Sequence, residues 1–235
     1  DMQKDSFKPY SYRHDTLGTV ERINKLTSAF RENNFPVIFI QHDGTIENWL
    51  LPGTEDWELL PELIRLPSDI CVSKTANDSF YNSSLQDVLS GLNISELYIT
   101  GCATDFCVDS TVKAALSRDY KVTIVEDAHT TASRPFADAT TLINHYNWVW
   151  SDMSPTKHKM TVVNSIDIVT SCHRLRVPGY DNGIQTFRYC FQMEQLLLLF
   201  HPALRVPYPS IRSLKQSGFS CHPFGQAPGK IPHAG

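Results

Sequence analysis

The sequence predicts a three-layer α/β/α domain built on a mostly parallel sheet. Up to about residue 170, segments of helical periodicity alternate with short apolar runs rich in β-branched and aromatic residues. Short connections join these segments. Strand and helix alternating in this way are typical of a parallel sheet covered on both faces. We therefore expect residues 1–170 to form one domain.

Four segments predict helices, because each places its apolar residues on one face; they cover residues 16–34, 83–93, 105–119 and 133–147. Four apolar runs predict strands, at residues 35–41, 96–101, 120–128 and 148–153. Ligands of such folds bind beyond the carboxyl ends of the strands. Three polar stretches fall there: QHDG, TGCATD and VEDAHTT.

The chain changes character near residue 170. Residues 171–235 carry seven Lys and Arg against two acids, whereas residues 1–170 carry 14 against 23. Seven of the fourteen prolines lie in residues 178–235, and neither a strand nor a helix period persists there. We expect residues 171–235 to form a Pro-rich, basic, poorly ordered tail. A small docking module is the alternative.

Composition excludes several classes of protein. A formal charge of −4 and a pI near 6.1 argue against a nucleic-acid partner. The longest apolar run, LLLLF at 196–200, is far shorter than a membrane helix, so we expect no membrane partner. The opening DMQKDSF lacks the pattern of a secretory signal. We therefore expect a cytoplasmic protein whose six cysteines are reduced thiols.

Two cysteines stand five positions apart in TGCATDFCVDST, residues 100–111. Cys107 lies near the start of a predicted helix, where backbone N–H groups favour an anion and thus the nucleophilic thiolate. Cys102 follows an apolar strand, so we expect it to be buried and inert. A zinc site would need a second pair of ligands, and a redox pair would need the spacing C-x-x-C. On these grounds alone Cys107 is a structural thiol or a nucleophile.

Three stretches resemble, in order and spacing, the isochorismatase-like cysteine hydrolase superfamily, which includes nicotinamidases and related amidohydrolases. They are DMQKDSF at 1–7, SKTANDSF at 73–80 and TGCATDFCVDSTVKAAL at 100–116. The resemblance covers roughly residues 1–165 and implies a Rossmann-like sheet. We therefore expect residues 1–170 to be an isochorismatase-like hydrolase domain.

The resemblance implies roles for individual residues. Cys107 would be the nucleophile, Asp1 the general acid and base, and Lys74 the third member of the triad. It also implies a cis peptide between Cys102 and Ala103, with the N–H groups of Ala103 and Cys107 forming an oxyanion hole. In this family the catalytic acid follows a buried strand, whereas here it is residue 1. We therefore expect an apolar strand before Asp1 in the parent chain.

The resemblance leaves the substrate open, and two types of substrate known in the superfamily fit this sequence poorly. Nicotinamidases bind a metal through D-x-H and a further histidine between the Asp and Lys motifs, whereas between Asp1 and Lys74 this chain offers only His42, followed by Asp43, besides His14 near the start. True isochorismatases lack the cysteine. We therefore expect a cysteine-dependent amidohydrolase of a small amide, carbamoyl or ureido compound, with no metal or cofactor. A catalytically inactive binding or scaffold protein of the same fold is the alternative.

We further expect a homo-oligomer acting on a small-molecule, amide-type substrate. Five side chains are candidates for substrate binding, and each is as well suited to a core or a subunit interface: His42, Trp49, Trp57, Phe80 and Phe106. His145 lies late in a predicted helix, and we interpret it as structural.

Overall fold

The computed structural model describes residues 1–174 of the chain. The strands of this part are β1 (Ile38–His42), β2 (Ile70–Lys74), β3 (Glu96–Cys102), β4 (Lys121–Thr130) and β5 (Thr161–Val163). The helices are α1 (Thr16–Glu32), α2 (Leu85–Gly91), α3 (Asp109–Leu116), α4 (Ala139–Asp152) and α5 (Ser165–Arg174). The remainder of the expected tail, residues 175–235 with Cys190 and Cys221, lies outside the described residues.

All strand pairing within β1 to β5 is parallel. β1 pairs with β2 from Ile38 opposite Ile70 to His42 opposite Lys74, and β3, β4 and β5 pair in that order. A groove of about 150 Å³ separates β1 from β3. Its walls include Ile38 of β1 and Ile99 of β3, and α2 contributes side chains to it. Because all pairing is parallel, the carboxyl ends of the strands lie at the same edge of each sheet.

Helices cover both faces of the sheets, which confirms the predicted three-layer α/β class. One core cluster joins α1 and α5 to β4, with Val125 contributing from the strand. A second cluster joins α2, α3 and α4 to the other face, where β4 contributes Val122 and Ile124. β4 thus points alternate side chains into two separate cores, as a strand buried on both faces does.

The strand predicted over residues 148–153 is wrong, because most of this stretch belongs to α4. On a strand Trp148 and Trp150 would share a face, whereas on a helix they lie on nearly opposite sides. Trp148 is exposed, and Trp150 is fully buried. Trp150 packs against Tyr146, one turn earlier, and donates its Nε1–H to Asp109 Oδ1 at 3.1 Å. Packing of these aromatic rings outweighs their β propensity.

The other predicted helices and strands are confirmed, and most of their ends lie within a few residues of the predicted ones. Helix α4 begins later than predicted. Sequence reasoning missed β2, β5 and α5. α5 continues past residue 170, where the change in composition begins. No helix in the part of the chain that the structure describes is long and apolar enough to cross a lipid bilayer.

Candidate active site

The ends of three strands bring the predicted catalytic residues together. β2 ends at Lys74, which lies opposite His42 at the end of β1. β3 ends at Cys102, and Gly101 just before it has a positive φ of 113°. A Cβ on Gly101 would lie 3.6 Å from the backbone nitrogen of Asp1. Asp1 therefore lies beside the end of β3.

Lys74 and Asp1 form a buried ion pair. Lys74 Nζ lies 2.9 Å from Asp1 Oδ2, and the two side chains are 0% and 8% exposed. Lys74 Nζ also donates to the backbone oxygen of Asn77 at 2.9 Å. Burial lowers the pKa of Lys74, and the adjacent Cys107 sulfur opposes that shift. The second oxygen of Asp1, Oδ1, is buried and has no hydrogen-bond partner among residues 1–174.

Cys107 lies in a π-helical turn, Thr104–Val108, that leads directly into α3. Its side chain is partly exposed, and its Sγ lies 3.6 Å from Asn77 Oδ1. Asn77 thus contacts Cys107 through its side chain and Lys74 through its backbone. The thiol and the ion pair are held together by one short loop after β2.

The peptide bond between Cys102 and Ala103 is cis. The Ala103 carbonyl accepts hydrogen bonds from the N–H groups of Phe106 and Val108, at 3.0 and 3.1 Å. Cys102 itself is 3% exposed, as its position after an apolar strand predicts. Burial raises the pKa of its thiol to about 11, so it stays protonated at neutral pH.

Two further contacts brace the turn. Arg134 donates two hydrogen bonds to the Asp105 carboxylate, at 2.7 and 3.0 Å. Thr104 Oγ1 lies 2.9 Å from Nδ1 of the buried His129, whose Nε2 lies 2.9 Å from Asn147 Oδ1. The pairing of β3 with β4 shifts register after Ile99, which places His129 opposite Gly101. The sheet irregularity thus positions the histidine against the turn.

His129 makes stability depend on pH. Burial lowers its pKa from 6.5 to about 4, so the ring stays neutral in the folded state while the unfolded chain takes up a proton below pH 6.5. Stability is therefore lost as the pH falls from 6.5 towards 4, by about 3 kcal/mol for this group. We expect urea unfolding between about pH 4 and pH 7 to show this loss. A His129→Gln variant should show a shallower dependence, and identical slopes would contradict the assignment.

A cavity of about 220 Å³ opens over the thiol. Three of the five predicted substrate-binding residues line it, namely His42, Trp49 and Phe106. Trp57 does not, although its carbonyl accepts from Gln41 Nε2 at 3.2 Å. Phe80 does not line this cavity either, and it stacks on Tyr120 in the core beneath α2 and α3. It lines the groove between β1 and β3, whose walls also include Asp1, Lys74 and Cys107.

His42 is a polar group of the cavity wall. Its Nδ1 is buried without a hydrogen-bond partner among the described residues, and its Nε2 lies 3.7 Å from Glu47 Oε2. Burial lowers the pKa of His42, and the positive charge of Lys74 lowers it further. The ring is therefore neutral at pH 7 and can accept or donate a hydrogen bond. No group of three or more His, Cys, Asp or Glu side chains within residues 1–174 is arranged to hold a metal ion.

Sequence reasoning missed four polar residues that line the cavity: Ser6, Arg13, Asn77 and Arg134. Asn77 follows Lys74 by three positions, so its place in the SKTAND stretch was a usable signal. Arg134 follows the VEDAHTT stretch, and it stacks on Phe106 with its guanidinium carbon 4.8 Å from the ring centre. Arg13 follows the first motif at no regular spacing, and no pattern pointed to it.

The chain is similar in sequence to one protein family and to several known proteins. The isochorismatase domain family matches residues 1–151. The isochorismatase family protein YddQ of Bacillus subtilis (strain 168) is 30% identical over 128 residues, which is 54% of this chain and 71% of that protein. Ureidoacrylate amidohydrolase RutB of Cronobacter sakazakii is 37% identical over 103 residues, 43% of this chain. This chain spans 44% of that enzyme's length.

Solved structures show the same fold. A crystal structure described as an isochorismatase family protein is 26% identical, with a TM-score of 0.64 over 70% of this chain and 94% of that one. The likeness extends over almost the whole of that domain, which agrees with the three-layer architecture.

Proposed function

The chain belongs to the isochorismatase family, and on that premise we propose that it is a cysteine-dependent hydrolase of a small amide, carbamoyl or ureido compound. One observation carries this proposal. A partly exposed thiol, Cys107, lines the same cavity as Asp1, whose carboxylate is paired with the buried Lys74. A nucleophile, a proton carrier and a fixed cation therefore lie within one small site.

In the first half of the reaction the Cys107 sulfur attacks the carbonyl carbon of the substrate. Asp1 takes the thiol proton on Oδ1, because Oδ2 is engaged by Lys74. The negative charge passes to the carbonyl oxygen. Candidate donors to that oxygen are the N–H groups of Ala103 and Cys107, since both residues line the cavity.

The tetrahedral intermediate collapses by breaking the bond between carbon and nitrogen. Asp1 gives its proton to the departing ammonia or amine, which leaves a thioester on Cys107 and an ionised Asp1. In the second half Asp1 removes a proton from water, whose oxygen attacks the thioester carbon. The carbon–sulfur bond breaks, and the proton held by Asp1 returns to the sulfur. Each turnover thus restores both groups.

Size and relatives support a small substrate. A cavity of about 220 Å³ is below the range of about 300–1,000 Å³ that is common for drug-sized ligands. The relative RutB is named as a ureidoacrylate amidohydrolase, which favours a ureido group among the candidates. We extend that substrate class to this chain as part of the proposal.

The buried pair also favours an enzyme over a binding protein. Taking two charges out of water costs several kcal/mol per ion before their attraction is counted. Lys74 and Asp1 maintain such a pair beside a reactive thiol. Charged groups whose pKa is perturbed by burial and by a specific partner are concentrated at catalytic sites.

Ammonia release from a panel of primary amides, N-carbamoyl compounds and ureido compounds tests the proposal. Carbamate released from a ureido group decomposes to ammonia, so one assay covers all three classes. We expect at least one class to be hydrolysed, and iodoacetamide to modify Cys107 before the exposed Cys71. No release from any class, with Cys107 no more reactive than Cys71, would contradict the proposal.

A further inference from the structure

Arg13 is a cation in the cavity wall that lacks a counter-ion. The other charged side chains around the thiol are compensated, because Lys74 pairs with Asp1 and Arg134 pairs with Asp105. Arg13 forms no ion pair with any carboxylate of residues 1–174, and its buried Nη1 has no hydrogen-bond acceptor there. An arginine of this kind is suited to an anion that comes from outside the protein.

The guanidinium of Arg13 is held in place before any ligand arrives. Its Nε donates to the backbone oxygen of Ser6 at 2.9 Å. Its central carbon lies 5.2 Å from the ring centre of Tyr12 and 5.8 Å from that of Phe7. These contacts engage only the Nε donor and the central carbon of the group, and neither Nη group donates to a residue within 1–174.

The positive charge of Arg13 acts on Cys102, which lines the same cavity as Cys107. Burial raises the pKa of the Cys102 thiol, and Arg13 is the strongest of the charges that oppose this rise. Cys102 begins the turn that carries Cys107, and all three residues line the cavity. A small molecule that Arg13 binds at one end can therefore place its other end at Cys107.

We propose that Arg13 binds the carboxylate of the substrate, so that the enzyme acts on small amide, carbamoyl or ureido acids in preference to their neutral analogues. This inference rests on the proposed hydrolase function and adds a specificity-determining residue to it. A carboxylate supplies two oxygens that match the donor edge of a guanidinium, whereas a neutral carbonyl leaves the charge uncompensated.

Paired substrates test the inference during turnover. The pair is a ureido acid and its methyl ester, assayed with the wild type, Arg13→Gln and Arg65→Gln. Arg65 is exposed and does not line the cavity, so its variant removes the same charge elsewhere. We expect kcat/KM for the acid to fall about 100-fold in Arg13→Gln and to stay unchanged in Arg65→Gln. The ester should change by less than about threefold in both variants.

These outcomes separate the two proposals. If the wild type hydrolyses acid and ester equally well, and Arg13→Gln affects both alike, the inference fails while the hydrolase function stands. If neither compound is hydrolysed, alkylation of the thiol still tests the anion site without turnover. The probes are then iodoacetate and iodoacetamide, which differ in the carboxylate.

The measured quantity is the alkylation rate with iodoacetate divided by the rate with iodoacetamide. The value of this ratio at Cys107 is divided by its value at the exposed Cys71. We expect this quotient to exceed one in the wild type and to fall about 10-fold in Arg13→Gln. Protection of the wild-type Cys107 from iodoacetamide by propionate, but not by propionamide, gives the same answer should the variant fail to fold. A quotient that is equal in the wild type and Arg13→Gln, or equal protection by both compounds, would overturn the inference.

Discussion

Replacing Cys107 by alanine is expected to lower kcat/KM by at least about three orders of magnitude. No other thiol in the cavity can take over the attack. Cys102 is 3% exposed, and burial raises its pKa to about 11. Steady-state ammonia release by purified wild-type and variant proteins measures the loss.

The fold should survive this substitution. The Cys107 side chain is partly exposed, and the contact from its Sγ to Asn77 Oδ1 is a long 3.6 Å. We therefore expect the free energy of unfolding to change by less than about 1 kcal/mol. Cys71→Ala serves as the matched control and should keep full activity, since Cys71 is exposed outside the cavity. Activity in Cys107→Ala above a tenth of the wild-type value would refute the role of this sulfur.

Replacing Lys74 by methionine is expected to remove activity and to destabilise the fold by about 3–5 kcal/mol. The substitution keeps much of the side-chain volume but leaves the Asp1 carboxylate, whose side chain is 8% exposed, without its counter-ion. Methionine also cannot donate to the Asn77 carbonyl. Urea unfolding and ammonia release, measured on the same preparation, give the two effects.

A double variant separates the charge pair from side-chain packing. Asp1→Asn combined with Lys74→Met removes both charges, so no ion is left buried alone. We expect the double variant to recover about half or more of the stability lost in Lys74→Met and to remain inactive. Additive losses of stability would mean that the 2.9 Å contact between Lys74 and Asp1 does not couple the two residues.

Much of the candidate site could be predicted from local sequence. The stretch TGCATDFCVDST joins an apolar strand to a periodic helix, and this alone places Cys107 at a helix start and Cys102 in the interior. The structure has Cys107 in the turn before Asp109 and Cys102 buried. Such features depend on residues within a few positions of each other, where periodicity is informative.

Contacts between distant segments left no such signal. Arg13 lines the cavity with its guanidinium against the rings of Phe7 and Tyr12, and no period links it to Cys107. The sequence offers no way to rank the aromatic candidates for the same reason. Phe80 and Trp49 are both large apolar residues near the motifs, yet Phe80 packs under α2 and α3 while Trp49 lines the cavity.

Strand β2 shows a different limit. It runs from Ile70 to Lys74 and ends in serine and lysine, so its pattern is too short and too polar to indicate a strand. Its pairing with β1, and not its own propensity, fixes it. The polar end that hides the strand is also what delivers Lys74 to the site.

The mass of the peptide that carries Cys107, taken from enzyme quenched in acid during turnover, is the most direct test of the thioester on this sulfur. We expect this peptide to gain the mass of the acyl or carbamoyl group of the substrate, with fragmentation placing the group on Cys107 and not on Cys102, while the peptide with Cys71 stays unmodified. The adduct should vanish as the substrate is exhausted. An unmodified Cys107 peptide at every time point, while product accumulates, would contradict the thioester mechanism.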